Sequence, residues 1–460
     1  MPGETKAPDA WTPRVTLSPP APSWRALAGR WSAPEGSAAF RTQLGLPGGR
    51  VVMSGHQAEV WHAGILTKVL AARQAAQRLG AASAWVVVDQ DANEPGVLRY
   101  PTRTPAGELA AAQWRLSPTS AEATDIPVAA RPAFTAAELE PRWPGGPGAT
   151  GPVACGLGAI RDALLDAAGE GTLAGQFIRA TRSLLKAGGA PVGDVDHWFC
   201  ATAIAGTDLF KEVVARMAAD PAACTAAYNA AAARHPGSGI APLNEARGEL
   251  PLWRVRPGMA RARVTAATLA ATPAEELAPR GLTMTALLRR AGCDLFIHGL
   301  GGGRYDVVTE EWVRSWLGWE LAPAVVATGT LLARLEDHPP PSPEELARAR
   351  WRLHHARHTP ASLGDDWAQR RKEELVAEIR GSRTRGGDTS GTFHALQDLL
   401  SRVRLEHAEV LTRLAGEVRS LEQRSRQSRV ALDRTWPFPL HDAGALAGLA
   451  SAVAAAFEEG

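Results

Sequence analysis

Short unbroken apolar runs alternating with helical periodicity dominate the first third of the chain. Val51-Val52-Met53 leads into Ser54-Gly55-His56-Gln57, and over 64–79 the residues Ile65, Val69 and Ala72 recur at helical spacing. A second run, Ala84-Trp85-Val86-Val87-Val88, ends in Asp89. Such runs flanking a helix predict strands buried on both faces of a parallel sheet, joined by a right-handed βαβ crossover. The signal returns at 293–297, followed by His298-Gly299-Leu300-Gly301-Gly302-Gly303, a helix over 307–317 and an apolar run at 324–327. Residues 1–45 read as an extended leader with a short helix from Trp24 to Trp31. The Pro-, Gly- and Thr-rich stretch 101–155 reads as loops with edge strands, and the alanine-rich stretch from 160 predicts a helical insertion reaching about 290.

Pro339-Pro340-Pro341 marks a linker. Beyond it, 343–380 and 394–432 read as two long helices separated by a Gly/Ser/Thr-rich turn. Leu396, Leu400, Val403, Val410, Leu414 and Leu421 keep alternating three- and four-residue spacing, interrupted at His407. That heptad seam predicts an antiparallel coiled-coil hairpin, a passive arm or the contact of a homodimer. The expected class is α/β: a Rossmann-like parallel core over 46–338, a helical arm over 339–435, and a tail, 436–460, whose Trp436-Pro437-Phe438-Pro439-Leu440 docks back on the core.

At 460 residues the chain exceeds what one hydrophobic core usually supports. Its formal net charge of +2 gives no global attraction to nucleic acid or an anionic membrane. Neither is expected as a partner. The four cysteines lack Cys-x-x-Cys spacing, so neither a zinc site nor a disulfide framework is expected. The polar, proline-rich start and the absence of a long apolar run predict a cytoplasmic protein. Lysines are few, and Lys68 is the amine best placed near the main motif.

Three stretches carry candidate chemistry. The first, Gly55 to Gly64, lies at the carboxyl end of a predicted strand, where open α/β sheets bind ligands. There Gly55 and Gly64 allow close approach of a substrate. His56 and His62 are candidate proton carriers, with Gln57 beside them; the plainer alternative is a histidine that caps the turn. The second, Asp89-Gln90-Asp91-Ala92-Asn93-Glu94, follows the next strand. Asp89 and Asp91 are catalytic candidates and Asn93 and Glu94 substrate ligands, against the alternative of a solvated acidic turn. The third is His298 to Asp306, where Gly301, Gly302 and Gly303 suggest an anion nest completed by Arg304, with His298 and Tyr305 alongside. Thr283, Thr285 and Arg289 would line the same cleft. His354, His355 and His358 have metal-like spacing but read as a solvated helix face.

In this order the motifs resemble the bacillithiol-biosynthesis cysteine-adding (BshC-like) family. The resemblance runs over roughly 45–440, with departures at the motifs. Gly55-His56-Gln57 stands where the family usually has Gly-Gln-Gln. Asp89-Gln90-Asp91-Ala92 replaces Glu-Asp-His-Asp, and Gly301-Gly302-Gly303-Arg304 replaces Gly-Pro-Gly-Glu. These point to a divergent subgroup that shares Gly-His-Gln-x-Glu, His-x-Gly and Asp-Leu-Phe-Ile-His-Gly stretches. The resemblance implies a Rossmann-like core, an arm that pairs subunits, and a ligase joining cysteine to the amine of glucosaminyl malate. Two other readings stand beside it. One is nucleotidyl transfer through His62-Ala63-Gly64, with ATP or ADP as cofactor; the other is a non-catalytic ligand-binding or scaffold protein.

Overall fold

The computed structural model describes residues 11–116, 125–140, 148–187, 192–335 and 341–458. The chain divides into a unit made of Met1–Arg334 with Asp433–Gly460 and a second made of Leu335–Leu432.

The first unit is mixed α/β. Its strands, in chain order, are β1 (Arg14–Ser18), β2 (Val51–His56), β3 (Ala82–Val87), β4 (Val97–Arg103), β5 (Leu109–Arg115), β6 (His197–Cys200), β7 (Glu249–Arg254), β8 (Ala262–Thr265), β9 (Leu277–Pro279), β10 (Leu295–His298) and β11 (Ala324–Thr330). Six of them form a sheet in the order β1-β11-β10-β2-β3-β6, parallel throughout except for β1. From β2 the chain moves outward through β3 to β6, then returns to lay β10 and β11 on the other side. The connections therefore diverge between β2 and β10, leaving a crevice above their carboxyl ends.

The pleat explains what covers each face. Val51, Met53, Ala84, Val86, Phe199 and Phe296 point into a core shared with Val308 and Trp312 of the helix Leu300–Leu317. On the opposite face lies the helix Ala63–Leu79, packed on β2, β3, β10 and β11 and backed by the helix Ala443–Ala456. Arg41 and Asp294, 3.0 Å apart and buried, fix the start of β2, whose Val51 N–H donates to Asp294 at 2.8 Å.

Two expectations are corrected. The leader over 1–45 contributes a sheet edge: Val15 and Leu17 turn inward at period two, and β1 pairs antiparallel with β11. The segment 160–290 is more than a helical insertion. It supplies β6 to the main sheet and β7, β8 and β9 to a separate three-stranded sheet. β6 is only four residues long, too short for a periodic signal. Within 101–155, β4 and β5 form an antiparallel hairpin.

The segment Trp436–Leu440 lies in this unit. Trp436, Phe438 and Leu440 are buried, and Phe438 N–H donates to Trp61 O at 2.7 Å. Trp61 in turn packs on Trp85 and Trp198, with centroids 4.7 and 5.8 Å away.

Among the described residues the second unit holds four α-helices where two long ones are expected: Pro343–His358, Asp366–Thr384, Ser390–Glu406 and Ala408–Ala431. The first stretch breaks around Pro360 and Gly364, the second at His407. The first and last helices pack together, as do the middle two. Ala368, Leu375, Leu399 and Val403 form the small core between the middle pair. Of the expected linker, Pro339 and Pro340 lie outside the described residues. Among the described residues no helix is long and apolar enough to cross a membrane.

Candidate functional site

The crevice at the β2–β10 divergence opens into a cleft of about 710 Å³. Its walls come from the β2 loop, the starts of the Ala63–Leu79 and Leu300–Leu317 helices, and the end of β11 with the returning segment, which bring in Thr328 and Arg434. Gly55, His56, Gln57, His62, Gly64, Asp91, His298, Gly301, Gly302 and Tyr305, all candidates from the sequence, line it together.

Close packing fixes the β2 loop. A side chain at Gly55 would collide with the Val86 carbonyl and methyl, so only glycine lets β2 and β3 meet there. His56 follows, its Nε2 3.0 Å from Glu59 Oε1. Burial lowers the His56 pKa, and the bond to Glu59 opposes the shift. Gln57 Nε2 donates to Asp91 Oδ2 at 3.1 Å. The other oxygen of Asp91 accepts from Arg261 at 2.9 Å, and the Arg261 guanidinium lies over the Trp253 ring. Asp91 is thus a half-exposed carboxylate already held by two donors.

His62 caps the helix that follows. Gly64 N–H donates to its Nδ1 at 3.0 Å, and burial pulls its pKa down to about 4. The ring is neutral at pH 7, and the N–H of Gly64 is engaged.

The floor of the cleft is Lys68, one turn further along this helix and 4% exposed. Its ammonium donates to the Gly55 carbonyl and lies 5.1 Å from the centre of the Trp85 ring. Burial lowers its pKa from 10.5 to about 7, weakly opposed by Glu59. Across the cleft, Gly299 begins the Leu300–Leu317 helix with no side-chain cap, so its first-turn N–H groups are free for an anion. His298 Nε2 is 2.9 Å from Asp306 Oδ2.

Eight candidates lie off the lining, wholly buried Thr285 among them. Asp89 is buried and accepts from Thr202 N–H at 2.9 Å and from the Thr202 hydroxyl; burial raises its pKa against those bonds. Asn93 donates to Ala58 O at 2.9 Å, and Glu94 pairs with Arg131 at 3.2 Å. Together they brace the acidic turn. Thr283, wholly buried, donates to Pro251 O. Arg289 is buried between Ala322 O, Asp306 and Glu310. Gly303 faces Val326, where a Cβ would come within 2.6 Å. Arg304 is exposed on the helix surface and absent from the cleft wall.

The three glycines form the first helical turn rather than a nest, and none has positive φ. Gly302 packs closely on His298 and Gly303 on Val326, whereas Gly301 faces open space. Asp306, Thr328 and Arg434 were not selected from sequence; Asp306 sits one turn beyond Gly302, and nothing local to 328 or 434 marks them.

No protein-family model matches the chain, and a search of curated proteins finds no match.

Proposed function

We propose that the protein is an enzyme that joins two small polar molecules, one presenting an amine and the other a carboxylate, at the β2–β10 cleft. Cysteine and a sugar-derived amine are the pair that the resemblance to the cysteine-adding family names. One observation carries the reading: Lys68, His56 and His298 converge at the sheet's crossover, opposite an uncapped helix N-terminus. That sets two imidazoles and an amine whose pKa burial lowers to about 7 beside a seat for an anion.

In this reading the first-turn N–H groups and the Lys68 ammonium hold the carboxylate of one substrate. Asp91 and Gln57 orient the amine or hydroxyls of the other, and a histidine removes the proton from the attacking nitrogen. In this reading the largely parallel core is Rossmann-like. The four helices of the second unit serve as a coiled-coil arm that pairs two subunits. The free N–H groups suit a phosphate as well as a carboxylate, so ATP or ADP belongs among the ligands to try.

The test is a thermal-shift series with cysteine, glucosaminyl malate, ATP with Mg²⁺, ADP and simple dicarboxylates, alongside His56→Ala and Asp91→Ala. A ligand that binds the native state raises the melting temperature, and the rise grows with ligand concentration. A shift with cysteine or glucosaminyl malate that disappears in both variants supports the reading. A shift with ATP alone transfers it to nucleotidyl transfer. Absence of any shift overturns it.

A further inference from the structure

Of the three histidines in the cleft, two are committed. His56 faces Glu59, and His62 spends its Nδ1 on the Gly64 N–H. His298 stands differently. It closes β10, is 5% exposed, and its ring is packed between Phe296 and Tyr305, with centroids 4.6 and 5.9 Å away.

We propose that His298 is the residue that takes the proton from the attacking group in this cleft, with Asp306 as the positioning residue that fixes its tautomer. The proposal rests on the cleft being the reaction site.

The tautomer follows from the charges around Asp306. Its Oδ2 is 2.6 Å from Arg289 Nη1 and 2.9 Å from His298 Nε2. Arg289 is 1% exposed and immobilised, with its Nε on Ala322 O at 2.7 Å and its Nη2 on Glu310 at 2.6 Å. Burial alone would raise the Asp306 pKa, but the His298 bond and the Arg289 charge bring it below the usual carboxylate range. An ionised carboxylate only accepts, so the His298 nitrogen facing it must be the one that carries hydrogen. That leaves the lone pair on Nδ1.

Gly302 keeps that nitrogen uncovered. A Cβ at this position would collide with Nδ1 and stand 3.0 Å from the ring's Cγ. Both residues line the cleft. Among the described residues no hydrogen bond reaches His298 Nδ1. The step is a transfer of one proton from the substrate's nitrogen or oxygen to Nδ1. The imidazolium so formed is balanced by Asp306, and the electron pair left on the substrate atom is free to attack.

The experiment uses the full chain labelled with ¹⁵N-histidine. Ring-nitrogen shifts report the tautomer, and diethyl pyrocarbonate followed by peptide mass mapping reports access to each imidazole, with His441, whose two ring nitrogens are both buried, as the slow reference. The expected result is an Nε2–H tautomer at His298 and modification at least tenfold faster than at His441. Asp306→Asn, whose amide can donate, should reverse or mix the tautomer. Gly302→Ala leaves the charges in place and should cut modification of His298 about tenfold. If Asp306→Asn does not fold, the wild-type tautomer and the Gly302→Ala result still decide. An Nδ1–H tautomer in the wild type, or a His298 as unreactive as His441, overturns the proposal. A histidine held only for structure would show the second. Neither measurement needs a substrate, so failure here is separate from failure of the ligand series. Where turnover is measurable, Asp306→Asn should lower kcat by roughly 10²–10⁴ with KM little changed, the usual span for a misplaced general base.

Discussion

Lys68→Met probes the floor of the cleft directly. The folded protein lowers the Lys68 pKa from 10.5 to about 7 because the ammonium is buried. Each pKa unit is worth about 1.4 kcal/mol, so folding disfavours the charged form by roughly 5 kcal/mol. Below pH about 7 both folded and unfolded chains hold the proton, and the folded state bears that whole cost. Between about 7 and 10.5 the unfolded chain is still protonated while the folded one is not. Stability therefore rises with pH across that window, by up to about 1.4 kcal/mol per unit. Methionine has similar reach and no charge, so the variant lacks this slope. It also loses one hydrogen bond to Gly55 O, about 1 kcal/mol at any pH. Guanidinium unfolding followed by near-ultraviolet circular dichroism at several pH values gives the comparison. The variant should be the more stable protein below pH about 7. Its advantage should shrink by roughly 2–3 kcal/mol over the next two pH units. Parallel stability curves for the two proteins would refute the argument, since they would mean that the amine is solvated or paired in the native state.

Three further outcomes are expected. His62 and His441 are both pulled by burial from 6.5 to about 4. Their stabilising effect is therefore present above pH 6.5 and is lost as pH falls toward 4, at most roughly 3 kcal/mol for each; His441→Phe should flatten the acid limb of a melting-temperature profile. Arg289→Ala leaves Asp306 buried beside His298 without its cation, and denaturant unfolding should show a loss of about 3–5 kcal/mol. Gly156→Ala puts a methyl group into the Pro439 carbonyl and 2.9 Å from Leu440 Cα. It should loosen the returning segment, costing roughly 1–3 kcal/mol and speeding proteolysis between residues 433 and 442; unchanged cleavage would mean that the segment adjusts.

How far the sequence reaches depends on the length of the element. β2, the helix after it and β3 stand out because Val51 to Met53 and Ala84 to Val88 are continuous runs around a clean helical repeat. β1 and β6 are short and carry no such contrast, so one read as leader and the other disappeared into a helical stretch. The site divides in the same way. Residues that end a strand or follow it directly, Gly55 to Gln57 and His298, do reach the cleft. Asp89 also follows a strand, yet Thr202 claims it, a partner more than a hundred residues away that no local pattern reveals. The glycine run illustrates the limit of composition. Three glycines suggest a flexible loop, but here they belong to a helix, and at Gly302 and Gly303 the neighbours stand too close for a side chain.

The first unit is written in two pieces, with Asp433–Gly460 separated from the rest by the whole of Leu335–Leu432. During synthesis, the strands and helices through β11 emerge well before the residues that complete their core. Until Phe438 arrives, Trp61 lacks a hydrogen-bond partner for its carbonyl, and the groove beside Gly156 stands open. The last strip of the chain thus acts as a closing stitch. A copy truncated anywhere in the arm lacks Trp436, Phe438 and Leu440, and with them the cover over Trp61 and the groove beside Gly156.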